Sequence, residues 1–159
     1  MNPSQASQEV PGTRRISLLS GPNLNLLGER QPEVYGHRSL ADLVAAAEDE
    51  ATRHDLTLEH LQSNHEGDLV EAIHAARGAV AGVIINAGAF THYSWAIHDA
   101  LASFEGPVIE LHISNPAARE EFRRQSVIGP VATAVIAGLG AQGYPLAVRA
   151  MAGLLDPTG

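Results

Sequence analysis

Apolar segments alternate with amphipathic ones along this chain, and no other feature constrains its fold as strongly. Residues 80–86, Val-Ala-Gly-Val-Ile-Ile-Asn, form an apolar run typical of a parallel strand covered on both faces. Further strands are predicted at residues 15–20, 56–61, 107–112 and 131–137. Helices are predicted at residues 39–54, 66–77, 93–104 and 141–155, and one more begins at Asn115-Pro116. Because each strand is followed by a helix, the pattern predicts an α/β sandwich with a parallel sheet and right-handed crossovers.

The predicted arrangement is a flavodoxin-like three-layer sandwich, with a five-stranded parallel sheet of order 2-1-3-4-5. Ser39 is placed to cap the first helix, and Gly78 is placed to end the second. In this topology, ligands bind beyond the C-terminal ends of the strands, near the point between strands 1 and 3 where the strand order reverses. We therefore expect functional residues at that edge of the sheet.

The length of 159 residues, 45% of them hydrophobic, allows one buried core and is too short for two ordinary domains. We predict a flexible tail over residues 1–13, which are polar and lack the apolar segment of a signal peptide, and a single domain over 14–159. No run approaches the length that spans a membrane. The absence of cysteine removes thiolate nucleophiles and suits a cytoplasmic protein.

Lysine is absent from the chain, and all ten basic residues are arginine. This excludes Schiff-base chemistry on a lysine amine, a pyridoxal-phosphate linkage and the lysine of a phosphate-binding P-loop. The formal charge of −8 argues against nucleic-acid binding, because the arginines form no basic run. With no cysteine and no tight histidine–aspartate cluster, a metal site is not expected.

Polar residues gather where three of the predicted strands end. Asn23 follows strand 1, Asn86 ends strand 3, and Glu110 and His112 lie near the end of strand 4. Side chains two residues apart on a strand share a face, so Glu110 can orient the His112 ring for proton transfer. The alternative is a structural ion pair that closes the end of the sheet.

The segment after strand 4 offers groups for an anionic or hydroxylated ligand. Ser114 and the N-terminus of the predicted helix form a carboxylate site, or serve only as a helix cap. Arg119 and Arg123 lie four residues apart, where they clamp an oxygen-rich ligand or pair with neighbouring glutamates. His92, in a glycine-rich turn after strand 3, can donate a hydrogen bond to a ligand hydroxyl.

Residues 20–35 are predicted to form a lid over this edge. A loop of this length is usually functional or disordered, and its aliphatic residues favour function. Arg30 is the cation within it, and a guanidinium beside Tyr35 would lower the pKa of the phenol and make it a base. Tyr35 as an ordinary packing residue is the alternative.

Several separated motifs carry a resemblance to a known family. They are Gly21-Pro-Asn-Leu-Asn-Leu-Leu-Gly28 with Arg30 and Tyr35, Gln62-Ser-Asn-His-Glu-Gly67, Asn86-Ala-Gly-Ala-Phe-Thr-His92, and Glu110-Leu-His-Ile-Ser-Asn115 with Arg119-Glu-Glu-Phe-Arg123. In this order and spacing, the chain resembles type II 3-dehydroquinate dehydratase from about residue 16 to residue 155.

The resemblance implies conversion of 3-dehydroquinate to 3-dehydroshikimate through an enolate, without a cofactor, in aromatic biosynthesis or quinate breakdown. It makes Tyr35 the base that takes the C2 proton, with Arg30 lowering its pKa. Asn23 would position a water that stabilises the enolate. His112, oriented by Glu110, would protonate the departing hydroxyl.

The same resemblance implies the substrate contacts and the assembly. Ser114 and the backbone at Ile113 would hold the substrate carboxylate, and the ring hydroxyls would be bound by Asn86, His92 and Arg123. Arg119 would help to shape the closed lid. Asp99 would come from a neighbouring subunit, in trimers that assemble into a dodecamer.

Two departures from the family pattern are Trp95 and the segment 126–129, Ser-Val-Ile-Gly, which is less rich in serine than expected. Neither is expected to touch the assigned catalytic positions.

A flavin- or phosphate-binding module is the main alternative function, although leucines occupy the loop where such a module needs hydroxyl groups. A second alternative is a response-regulator-like switch. It would need acidic residues at the ends of strands 1 and 3 and a lysine, whereas this chain has asparagine at those ends and no lysine.

Overall fold

The computed structural model describes residues 14–29 and 31–157, with the side chains of Pro32 and Tyr35 excepted. The predicted tail over residues 1–13 and the predicted lid cation Arg30 lie outside the described residues. Five parallel strands form one sheet in the order β2-β1-β3-β4-β5, which confirms the predicted order. The strands are β1 (Arg14–Ser20), β2 (Leu56–Gln62), β3 (Gly82–Asn86), β4 (Val108–His112) and β5 (Ala134–Ala137).

Helices cover both faces of the sheet, and each face has its own hydrophobic core. These helices are α2 (Leu40–Arg53), α3 (Glu66–Ala76), α4 (Trp95–Ala102) and α5 (Gly143–Leu155), while the short α1 (Pro32–Tyr35) lies in the connection between β1 and α2. Leu43 of α2 and Val148 of α5 share one core with Leu18. Ile73 of α3 and Ile97 of α4 share the other with Ile85. The alternation of inward residues along buried strands thus gives the predicted three layers.

The predicted helix ends are present. Ser39 Oγ accepts a hydrogen bond from the backbone N–H of Asp42 at 3.2 Å, and Asp42 Oδ2 accepts one from the N–H of Ser39 at 2.9 Å. This capping box satisfies N–H groups that the first turn leaves unpaired, and the bond from the Ser39 backbone lowers the pKa of Asp42. Gly78 follows the end of α3 with a φ of 70°, a conformation that glycine adopts without steric cost.

The helix predicted from Asn115-Pro116 onward is wrong. The segment forms two short 3-10 helices, Pro116–Ala118 and Glu121–Arg124, separated by Arg119 in an extended conformation. Pro116 starts a turn as expected, and Asn115 Oδ1 accepts from the N–H of Ala117 at 3.1 Å. The extended Arg119 interrupts the backbone ladder that an α-helix needs. The dipole of an α-helix therefore does not contribute to the predicted carboxylate site at Ser114.

The loops after β1 and β3 are in contact at the C-terminal edge of the sheet. Ser20 lies opposite Asn86 in the register, and Ile85 lies opposite Glu110. A Cβ atom on Gly21 would lie 2.4 Å from the carbonyl oxygen of Ala87, so only glycine allows this approach. Within the described part of the chain, no helix has both the length and the apolar character needed to cross a bilayer.

Candidate active site

His112 and Glu110 form a buried pair at the end of β4. His112 Nε2 lies 2.7 Å from Glu110 Oε1, as their spacing on one strand predicted. Both side chains are nearly closed to solvent, and a buried charge requires partners of this kind. An ionised Glu110 only accepts, so Nε2 carries a proton and Nδ1 is the ring nitrogen that Glu110 leaves available.

Ser126 is a third member of this group, and the expectation that the segment 126–129 touches no catalytic position is wrong. Ser126 Oγ donates a hydrogen bond to Glu110 Oε1 at 2.7 Å. The same oxygen accepts from the backbone N–H of Ile128 at 3.1 Å and of Gly129 at 2.9 Å. The carboxylate that orients His112 is therefore itself held by a turn that begins sixteen residues later.

The side chain of Asn86 is held by two hydrogen bonds, one of them to a residue of the hydrophobic core. Its Nδ2 donates to the hydroxyl of Tyr144 at 3.2 Å, and its Oδ1 accepts from the N–H of Gly88 at 3.3 Å. Tyr144 is almost fully buried in α5, and burial raises the pKa of its phenol to about 12 although the Asn86 bond opposes the shift. A neutral tyrosine thus orients the Asn86 amide.

Asn23 adopts a left-handed conformation, with φ of 66°, at the start of the lid. Its backbone N–H donates to Asn64 Oδ1 at 2.9 Å, and that oxygen also accepts from Gln62 Nε2 at 3.1 Å. Gln62 Nε2 lies 3.2 Å from the carbonyl oxygen of Gly21 as well. Asparagine tolerates this backbone region better than most residues, and the amide group of Asn64 stabilises it further.

Arg119 and Arg123 approach the same place despite the missing helix. Arg119 Nη1 lies 3.4 Å from Ser114 Oγ, while Arg123 Nε donates to Glu120 Oε2 at 2.7 Å. The pKa of Glu120 is lowered, first by a bond from its own backbone and then by Arg123. The two predictions for these arginines, ligand clamp and pairing with glutamate, are compatible, because both arginines line the pocket described below.

His92 has a defined ring orientation. Its Nδ1 donates to the carbonyl oxygen of Gln125 at 2.7 Å, since a carbonyl only accepts. In the neutral ring, Nε2 is then an acceptor. Nε2 is thus the ring nitrogen left for a ligand, and the prediction that His92 donates to a ligand hydroxyl requires the protonated ring.

One pocket joins these groups, with about 710 Å³ of empty space including its open mouth. It is lined by Pro22, Asn23, Leu24, Leu26, Leu27, Asn86, Gly88, Ala89, His92, His112, Ile113, Ser114, Pro116, Arg119 and Arg123. A small hydroxylated acid suits a cavity of this size whose lining combines imidazole, amide and guanidinium groups with leucine side chains.

The remaining predicted side chains either lie away from the pocket or fall outside the part of the chain that the structure describes. Glu110 lies behind His112, and Asp99 is exposed on α4 and does not line the pocket. The backbone of Tyr35 ends α1, but its side chain, like Arg30, is not among those described. Of the described residues, no group of three or more histidines and carboxylates is placed to hold a metal ion.

Sequence reasoning missed the residues that hold the site from behind: Asn64, Ser126 and Tyr144. A signal was present for two of them. Asn64 lies in a motif that carried the family resemblance without a role, and the pattern Ser-Val-Ile-Gly129 is typical of a serine that caps a turn. Nothing in the sequence marked Tyr144, which reads as one more core residue of α5.

The chain is similar to known proteins over almost its whole length. The family model described as "Dehydroquinase class II" matches residues 14–152. A 3-dehydroquinate dehydratase of Corynebacterium glutamicum is 54% identical over 145 residues, which are 91% of this chain and 99% of that protein. Two type II dehydroquinase crystal structures, from Butyrivibrio crossotus and Propionibacterium acnes, align with TM-scores of 0.84 at 42% and 43% identity. They cover 87% of this chain and 97% and 96% of their own.

Proposed function

The chain belongs to the class II dehydroquinase family, and from that premise we propose that it dehydrates 3-dehydroquinate to 3-dehydroshikimate through an enolate intermediate. The observation that carries the proposal is the buried His112–Glu110 pair, 2.7 Å between Nε2 and Oε1, opening into a pocket of polar groups. A proton donor held in this way suits an elimination in which a hydroxyl leaves as water.

In the first step, Tyr35 takes the C2 proton of the substrate and leaves an enolate. Arg30 lowers the pKa of Tyr35 so that the phenolate is populated near neutral pH. Asn23 positions a water against the enolate oxygen, and its placement in the pocket wall supports this role. The roles of Tyr35 and Arg30 rest on the sequence motif alone.

In the second step, His112 as an imidazolium gives a proton to the departing hydroxyl, which leaves as water while the enolate electrons form the new double bond. Nδ1 is the nitrogen that transfers the proton, because Nε2 remains on Glu110. Before the next turnover, Tyr35 releases the proton it has taken to solvent, and His112 takes up a proton from solvent to replace the one it has given. Overall, one molecule of water is removed.

Substrate orientation falls to the rest of the pocket. Ser114 and the backbone of Ile113 bind the carboxylate, with the Arg119 guanidinium beside Ser114 favouring negative charge there. The ring hydroxyls contact Asn86, His92 and Arg123. The exposure of Asp99, away from its own pocket, supports the proposal that it completes the site of a neighbouring subunit in a trimer and, through trimers, a dodecamer.

The test is an assay for formation of 3-dehydroshikimate, which is monitored through the ultraviolet absorbance of this product. We expect turnover by the wild type and losses of more than about a hundredfold in Tyr35→Phe and His112→Ala. Tyr93→Phe and His74→Ala remove the same groups at exposed positions and serve as matched controls. Turnover at the wild-type rate in Tyr35→Phe contradicts the assigned base.

Two further measurements separate this proposal from its rivals. The purified protein should show no flavin absorbance, whereas a flavin-binding module would be coloured. Borohydride added with substrate should leave activity intact, because the chain has no lysine with which to form a reducible imine. A wild-type protein that is folded but does not turn over 3-dehydroquinate overturns the proposal.

A further inference from the structure

The hydroxyl of Ser126 has no freedom in how it bonds. A serine oxygen has one proton to donate and two lone pairs that accept. Both lone pairs are engaged, by the N–H of Ile128 at 3.1 Å and the N–H of Gly129 at 2.9 Å. The single proton is therefore committed to Glu110 Oε1 at 2.7 Å.

This committed donor fixes the state of the carboxylate. Glu110 Oε1 accepts from Ser126 and from His112 Nε2, each at 2.7 Å, so it acts as a two-fold acceptor. A donor held at 2.7 Å restricts the rotation of the buried carboxylate. With Oε1 fixed as an acceptor, the ring nitrogen of His112 that faces it, Nε2, is the one that donates.

We propose that Ser126 is a positioning residue for the dehydration: its hydroxyl holds Glu110 as an oriented acceptor, which keeps His112 Nε2 on Glu110 and leaves Nδ1 for the substrate. This inference rests on the proposed function of His112 as the proton donor. Ser126 lies outside the pocket lining, so it acts through Glu110 and not on the substrate. Its loss should therefore appear in kcat rather than in KM.

A purely structural role for Ser126 would give a different result. The turn that contains it also holds His92, through the carbonyl of Gln125, and it is anchored by Val127, whose N–H donates to the carbonyl of Thr91 at 2.9 Å. His98 Nδ1 donates to the carbonyl of Val127 at 2.6 Å. If Ser126 only stabilised this turn, its removal would displace His92 from the pocket and raise KM.

Three variants separate these roles. Ser126→Ala removes the donor and the acceptor, and Ser126→Thr keeps both in a conservative replacement. Ser126→Cys keeps a side chain of similar size whose sulfur donates and accepts only weakly, so it also covers the case in which the alanine variant fails to fold. Ser103→Ala is the control. It removes a partly buried hydroxyl that donates a hydrogen bond to the carbonyl of Ala100 at 2.6 Å, and neither residue lines the pocket.

We expect Ser126→Ala and Ser126→Cys to lower kcat by roughly ten- to a hundredfold, with KM within about twofold of wild type. Ser126→Thr should retain kcat within about threefold, and Ser103→Ala should match wild type. Unchanged kcat in the folded alanine or cysteine variant, or a change confined to KM, overturns the proposal. So does a folded threonine variant as impaired as the alanine variant.

A second readout does not depend on turnover. Nitrogen-15 spectra of histidine-labelled protein, recorded at a pH where the His112 ring is neutral and assigned against His112→Ala, report which ring nitrogen carries the single proton. We expect protonated Nε2 in the wild type and a mixture of tautomers in Ser126→Ala. A His112 signal that is identical in the two proteins overturns the role of Ser126. A wild-type protein with the expected signal but no dehydratase activity instead overturns the proposed function.

Discussion

The side-chain amide of Asn86 donates a hydrogen bond to the buried hydroxyl of Tyr144, 3.2 Å away, and ties the end of β3 to helix α5. Similar support recurs around the pocket, where side chains are held by polar groups from distant segments. Asn64 holds Asn23, which lines the pocket, and Ser126 holds Glu110, which lies behind His112. These supporting bonds give the first predictions.

Tyr144→Phe should weaken both the fold and substrate binding. The substitution keeps the ring but leaves the Asn86 amide without its acceptor, at a cost of about 1–3 kcal/mol in the free energy of unfolding. Since Asn86 lines the pocket, KM should rise by roughly three- to tenfold. Urea denaturation and steady-state kinetics measure the two effects, with Tyr93→Phe as the exposed control. A stable Tyr144→Phe protein with unchanged KM would show that the bond does not orient Asn86.

Asn64→Ala should reduce kcat by roughly tenfold, because it removes the oxygen that accepts the N–H of Asn23 at 2.9 Å. Without that acceptor, the left-handed backbone at Asn23 loses a stabilising contact, and the water that we propose Asn23 positions on the enolate becomes less ordered. Asn64→Asp keeps an oxygen at the same place and should retain most of kcat. Equal kinetics in the alanine and aspartate variants would argue against the contact.

The parts of the structure that follow a local period were predictable from sequence. Strand alternation placed Glu110 and His112 on one face, and the uninterrupted apolar run at residues 80–86 placed β3 at the centre of the sheet. The parallel order then brought Asn23, Asn86 and His112 to one edge. Each of these follows from geometry within one strand or from the topology rule.

The contacts that were missed join segments far apart in the chain. Asn86 and Tyr144 are separated by 58 residues, and Asn23 and Asn64 by 41. No local pattern specifies which distant polar group will meet a given amide. The helix predicted from residue 115 fails for a related reason: its residues favour helix, but Arg119 is extended and directs its guanidinium to Ser114.

Glu50 gives the protein a predictable acid sensitivity. Hydrogen bonds from Arg149, Arg53 and His54 lower the pKa of Glu50 from 4.5 to about 2, with Arg149 contributing most. Between these values the unfolded chain binds the proton more tightly, so the stabilisation is complete above about pH 4.5 and is lost as the pH falls towards 2. Glu50→Gln should flatten the dependence of stability on pH in that window.

Urea midpoints at pH 6 and pH 3.5 test the Glu50 prediction. The wild type should lose more stability between the two values than Glu50→Gln, while at pH 6 the variant should be the less stable protein. Glu48→Gln, on the exposed face of the same helix, should behave like the wild type. A wild-type pH dependence in Glu50→Gln would assign the acid sensitivity to other carboxylates.

Gly129→Ala should slow catalysis by displacing Glu110 from outside the pocket. A Cβ atom at this position would lie 3.1 Å from Glu110 Oε2, so the carboxylate must move by a few tenths of an ångström. Because Glu110 shares a 2.7 Å bond with His112, that shift misaligns His112, the proposed proton donor, and kcat should fall by roughly three- to tenfold with little change in KM. Gly153→Ala is the matched control: nothing lies within 4 Å of its added Cβ, and alanine in helix α5 should stabilise the fold by about 0.5–1 kcal/mol. If kcat in Gly129→Ala equals that of Gly153→Ala, the position of Glu110 tolerates the shift, and the tight geometry around its carboxylate is not required for turnover.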